Sequence, residues 1–291
     1  MRGRIVAALC LALCAGLAFA AGPSAVRKQT EMSMLVTGMV LIDPDGSVAG
    51  WEIDQREKLP VVVANLIEKS APAWRFEPVT VDGSPRRAKA PMSLRVVANR
   101  LDDGNYRIAI RSGHFGEEAL DTEERRALGG TDSVQAIQMR PPSYSMDALY
   151  MGVQGTVYLV LRIDREGRVA EVAAEQVDLR IVGDEREMRM MRDLLAKPAL
   201  IAARKWTFRV PTTGEASSRH EWSVRVPVDY TLSNARQPGY GEWQAYIPGP
   251  RQAVPWRTGE DADAGQGPEA LVAGQVYEVG KGLKLLTPLQ G

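Results

Sequence analysis

The chain has 291 residues, with 36 basic and 36 acidic side chains and 45% hydrophobic residues. That length fits one or two domains, and the ordinary apolar content excludes a disordered chain. The neutral balance supplies no basic face, so no nucleic-acid partner is expected.

The segment 1–20 reads as an export signal. Arg2 and Arg4 precede the apolar run "IVAALCLALCAGLAFA", which closes on Ala18-Phe19-Ala20. An A-x-A ending predicts cleavage after Ala20. The run is shorter than the roughly 20 residues of a spanning helix, and the alternative is an uncleaved inner-membrane anchor. Cys10 and Cys14 each follow a leucine, which does not suit a lipid-attachment site, and both lie inside the signal. The mature chain therefore has no cysteine, which excludes disulfides, thiol catalysis and cysteine metal ligands. Without Arg2 and Arg4 it carries 34 basic and 36 acidic residues, a net of −2.

"MLVTGMVLIDPDGSV" (34–48) alternates apolar and polar positions, then turns on Asp-x-x-Gly into a second strand. The turn lacks the alternating acids and distant glutamate of a calcium loop. "VVVANLIEKSAPA" (61–73) reads as a short helix stopped by Pro72. Trp74-x-Phe76 and a glycine turn at Gly83 come next, and "MSLRVVA" (92–98) is a strand. Residues 95–111 predict a hairpin around Asp102-Asp103-Gly104-Asn105. "EEALDTEERRALGG" (117–130) predicts a charged short helix or linker with a solvated face.

"GTVYLVLRIDREGRV" (155–169) then repeats the strand and turn of 34–48 at an offset of 121 residues, with Gly167 on Gly46. "DEREMRMMRDLLAK" (184–197) is rich in helix formers, Pro198 predicts a break or kink, and "ALIAARK" (199–205) continues as helix. Trp206-x-Phe208 answers Trp74-x-Phe76 at an offset of 132, so the second copy has gained 11 residues. Residues two apart in an extended segment point to the same side. Trp74, Phe76, Trp206 and Phe208 are therefore expected as core anchors pinning a helix to a sheet, with Gly46 and Gly167 as turn anchors. "WSVRVPVDYTL" (222–232) is the last regular strand of the second copy. The tail from 233 holds "QPGYGEWQAYIPGPRQAVPW" (237–256), expected to be extended and to pack across its own domain. "ALVAGQVYEVGKGLKLLTPL" (270–289) has room for one more strand or hairpin.

The expectation is an α+β chain of two units, each a small antiparallel sheet packed by one or two helices. Its divisions are a signal (1–20), a divergent first unit (21–112), a charged linker (113–139), a second unit (140–232) and a Pro/Gly-rich extension (233–291). No catalytic, metal or cofactor site is expected. His114 and His220 are the only histidines. No second histidine stands at metalloprotease spacing, and there is no nucleophile elbow or phosphate-binding loop.

The second copy, through "PPSYSMDALYMGVQGTVYLVLRIDREGRV" and "ALIAARKWTFRVP", resembles the C-terminal domain of TonB, the periplasmic energy transducer. Pro142, Tyr144, Ala148, Gly152, Gly155, Asp164, Gly167, Trp206 and Phe208 fit that pattern, while Ser145 stands where proline is usual. The first copy keeps "IDPDGSV" and "AWRFEP". There is no long proline-rich spacer of the kind that carries a transducer across the periplasm. The resemblance implies a periplasmic location and a non-enzymatic role, the capture of an extended peptide on a sheet edge. It also implies envelope partners, among them TonB-dependent outer-membrane receptors, and a homo-oligomer is compatible with it. The candidate edge is the final strand of the second copy. Val224, Val226, Val228 and Tyr230 lie along it, and Pro227 suits an edge because it cannot donate to a ladder. The competing expectation is that the chain's own tail covers this edge. The alternative function is a membrane-anchored transducer that retains its N-terminal segment.

Overall fold

The computed structural model describes residues 30–119, 130–257 and 267–289. The signal segment and most of the charged run 117–130 lie outside them. The fold is α+β, with several small antiparallel sheets, and its core divides into two clusters.

In the first sheet, β1 (Glu31–Ile42) turns into β2 (Val48–Ile53). It pairs on its other side with β5 (Ala88–Arg100), which continues through a hairpin into β6 (Tyr106–Phe115). The minor hairpin of β3 (Thr80–Val81) and β4 (Ser84–Pro85) is a separate pair. Helix α1 (Val61–Ser70) runs into a 3-10 turn that contains Pro72. Alternation decides which strand side chains meet the helix. Met34, Val36, Val40 and Ile42 of β1 and Met92, Leu94 and Val96 of β5 are buried with Val63, Ile67, Trp74 and Phe76. Phe115 at the end of β6 meets both rings edge-on, at 5.7 Å from Trp74 and 4.9 Å from Phe76.

The second sheet has the order β9 (Val169–Leu179), β8 (Gly155–Ile163), β11 (Trp222–Tyr230), β13 (Tyr277–Glu278). Helix α2 (Met146–Tyr150) is capped by the Ser145 hydroxyl, which accepts the Ala148 N–H at 3.1 Å. Helix α3 (Glu185–Ala203) opens with a reciprocal capping box between Asp184 and Glu187. Pro198 lies inside α3, and the helix runs on to Ala203. Proline removes one backbone bond, but Leu195, Ala199 and Ala203 are buried on either side of it, so packing on the sheet carries the helix past.

Both sheets use the same local device. The Phe76 N–H donates to Gly46 O and the Phe208 N–H to Gly167 O, each at 2.8 Å. Gly46 and Gly167 have φ of 83° and 76°. A Cβ on either would land on the carbonyl oxygen of Phe76 or Phe208. The Asp-x-x-Gly turn and the Trp-x-Phe segment therefore belong together. The turn docks its backbone on the segment, and the segment's rings fill the core.

Two stretches within 113–139 are built into sheets. Gly113–Phe115 end β6, and β7 (Gln135–Gln138) pairs with β10 (Thr207–Arg209). The residues from 237 cross both halves. β12 (Gln244–Tyr246) pairs with Glu31–Ser33 at the start of β1. Ile247 then exchanges backbone bonds with Leu179 of β9 at 3.0 and 2.7 Å.

The sheet faces turned away from the helices carry polar groups, and the tail runs between them. Ala270 O accepts from Ser93 Oγ at 2.5 Å and Glu269 O from Arg95 Nε at 2.7 Å, both on β5. On the other sheet, Gln176 Nε2 of β9 donates to Glu269 Oε1 at 3.0 Å.

Candidate functional site

β11 is buried along most of its length, with its side chains alternating between two faces. Val224, Val226, Val228 and Tyr230 are buried in the second core, and Tyr230 meets Tyr144 edge-on at 5.1 Å. Burial raises the Tyr230 phenol above its ordinary range, and Tyr144 adds to the effect. These four side chains point inward and hold the strand in place. What the strand presents at its edge is therefore its backbone.

On the opposite face, Arg225 donates two bonds to buried Glu175, at 2.7 and 3.1 Å. Arg251 of the tail donates two more, at 3.0 and 2.8 Å. Burial opposes the Glu175 charge, but the two guanidinium groups outweigh it and hold the carboxyl below its usual range. Asp178, on the same strand, is in the opposite condition. Burial, with Glu269 nearby, pushes its carboxyl up to about 7, against bonds from Gln176 Nε2 and the Gly249 N–H, both at 2.8 Å.

The outer edge of β11 already holds an extended segment. Val224 and Arg225 pair antiparallel with Glu278 and Tyr277 of β13. The ladder is extended on both sides, by the Val279 N–H to Ser223 O and the Gly274 N–H to Pro227 O, each at 2.8 Å. Pro227 offers its carbonyl here but no N–H, as suits an outer strand. Beyond it, Asp229 Oδ1 accepts from Thr156 Oγ1 at 2.8 Å and from Arg180, which ties off that end of the strand.

Where the added segment ends, a cleft of about 720 Å³ opens. Arg219, Trp222, Ser223, Arg251, Trp256 and Gly280 are among its lining residues. Among the described residues no group of three or more His, Cys, Asp or Glu could hold a metal ion. No helix there is long and apolar enough to cross a membrane.

Trp74, Phe76, Trp206 and Phe208 are all buried, at distinct places in the two cores. The added segment itself has only a faint sequence signal, the alternation of "GQVYEV" between glycines. Glu175, Arg219 and Glu269 have no signal in isolation, because their partners lie far away in the sequence.

No family model matches the chain, and no solved structure matches it. Curated relatives do. Protein TonB from each of two strains of Xanthomonas campestris pv. campestris is 33% identical to it over 108 residues. Part of this chain is TonB-like. The matched stretch is 36% of this chain and 41% of each relative, so the chain spans about two fifths of the length of the curated relatives it matches.

Proposed function

We propose that this is an exported, non-enzymatic TonB-like protein that binds an extended segment of an envelope protein by strand addition at β11. Cleavage after Ala20 releases it into the periplasm, and TonB-dependent outer-membrane receptors and other envelope proteins are its partners. The carrying observation is the edge of β11, which accepts residues 274–279 as an added antiparallel strand. Strand addition draws affinity from main-chain bonds and selectivity from flanking pockets. The outward carbonyls of Ser223 and Pro227 and the cleft beside Trp222 support this reading. We further propose that the chain holds two TonB-like units, 21–112 and 140–232, derived from one ancestor. The shared docking of an Asp-x-x-Gly turn on a Trp-x-Phe segment supports this.

Two measurements test the reading. The intact mass of the protein recovered from the periplasm should correspond to a chain beginning at Ala21. A membrane-held species retaining residues 1–20 would overturn release. Once residues 274–279 are loosened by Tyr277→Ala, extended peptides from envelope proteins should slow hydrogen exchange in residues 223–230. If none of them protects this strand, the binding assignment is wrong.

A further inference from the structure

The segment that occupies β11 is informative about what else the edge accepts. Three successive side chains enter three different environments. Val276 is 5% exposed and belongs to the second apolar core. Tyr277 packs its ring edge-on against His114 of β6, with centroids 5.2 Å apart. Its hydroxyl accepts the Val272 N–H at 2.8 Å. Glu278 is buried, and its Oε1 accepts from Arg219 Nη1 at 3.1 Å. A charge-assisted bond to a buried carboxylate is stronger than a neutral one, so this position discriminates against a cation.

The segment is also bracketed by turns. Gly274 and Gly280 have φ of 80° and 82°, a backbone region that favours glycine. These glycines bend the chain onto the edge and off it again, which limits the pairing to a short stretch. A peptide without the second bend would continue past Ser223 into the cleft lined by Arg219, Trp222, Arg251 and Trp256.

We propose that residues 274–279 are an internal stand-in for the partner, and that the partner presents an apolar, an aromatic and an acidic residue at three successive extended positions. This rests on the strand-addition reading above. The tail, being tethered, competes at an effective concentration on the order of millimolar. The intact chain therefore binds such a peptide weakly until the tail is loosened.

The probe is a fluorescein-labelled peptide of residues 273–281, AGQVYEVGK, titrated by anisotropy into the mature chain and its variants. Tyr277→Ala in the protein weakens the resident tail and should tighten peptide binding at least about tenfold. Replacing the peptide's tyrosine by alanine, or its glutamate by lysine, should weaken binding about tenfold, the equivalent of one charge-assisted bond. Arg219→Glu in the protein should reverse the second preference, so that the lysine peptide binds better than the glutamate one. Arg219 is 54% exposed at its side chain, so this variant keeps the test decisive if Tyr277→Ala does not fold.

An unchanged preference in Arg219→Glu would overturn the proposal, as would equal binding of a scrambled peptide. If unrelated extended peptides protect residues 223–230 while these substitutions have no effect, strand addition stands and the apolar–aromatic–acidic preference is lost. If no peptide of any sequence protects that strand, both fail.

Discussion

The two sheets close the same edge by different means. β5 in the first sheet is covered by β6, its own hairpin partner, paired from Met92–Phe115 to Arg100–Tyr106 with one register shift between Arg95 and Val96. β11 in the second is covered by β13, which pairs only at Val224 and Arg225. The first cover follows directly in the chain, around a turn where the Gly104 N–H reaches Leu101 O at 3.0 Å. The second cover arrives from the tail. A long local hairpin is hard to peel off, because its whole ladder and the Phe115 ring leave together. A short distant strand can leave while its sheet stays intact. On the proposed reading, how an edge is covered decides whether its cover can exchange, and this separates two otherwise similar sheets.

The largest effect should come from the permanent cover. Phe115→Ala removes the ring shared by Trp74 and Phe76 and should cost about 3–5 kcal/mol in denaturant unfolding. Loss of the first sheet should accompany it. Gly46→Ala and Gly167→Ala should each cost about 1–3 kcal/mol for the imposed strain, and more where the new Cβ meets the phenylalanine carbonyl. Equal costs at the two positions would show that the docking device works alike in both sheets. Unequal costs would mark the sheet that depends on it more.

Tyr277→Ala should cost about 2 kcal/mol, the value of burying one large side chain. Its signature is local: faster hydrogen exchange in residues 223–229 with residues 106–115 unchanged. Simultaneous loosening of both would erase the distinction between the covers. Asp178 supplies a pH dependence. Its folded carboxyl titrates at about 7 against an ordinary value of 3.8, so the folded chain holds an extra proton between those values. This group's contribution to stability should therefore be fully present below about 4, fall as pH rises to about 7, and level off. Asp178→Asn should flatten this slope in thermal melts. Smallest of all, the surface pairs Arg87–Asp43 and Arg168–Asp164 flank the two turns. Removing either arginine should leave the denaturant midpoint nearly unchanged, because exposed pairs are screened by water and salt.

Much of the framework is legible in the sequence. The alternation of 34–48 and 155–169 and the helix formers of 184–197 encode local preferences that the fold retains. Helix on both sides of Pro198 is legible; that the two stretches form one helix without a break is not, because tertiary packing of Leu195, Ala199 and Ala203 overrides a local breaker. At the candidate site, the inward alternation of β11 can be read, and a tail strand covering its edge is one of the two expectations, borne out by the pairing with Tyr277 and Glu278. The contacts that hold that cover cannot be read. That cover depends on Glu278 meeting Arg219 and Tyr277 meeting His114, pairs with no local pattern. The polar layer between the sheets is hidden for the same reason. Gln176 gives no hint of Glu269, which lies 93 positions later.

The tail's long reach also bears on how the chain acquires its structure. Tyr246 Oη donates to Glu31 Oε2 across 215 positions, and the Arg75 N–H meets Thr287 Oγ1 across 212. Contacts of such separation close large loops and slow the folding reaction. The beginning of β1 cannot obtain its β12 neighbour until almost the whole polypeptide is available. Each half can gather its local hairpins and helix early, but the seam between them is the last part to set. A chain that emerges from a translocation pore N-terminus first would therefore wait, partly assembled, for its own tail.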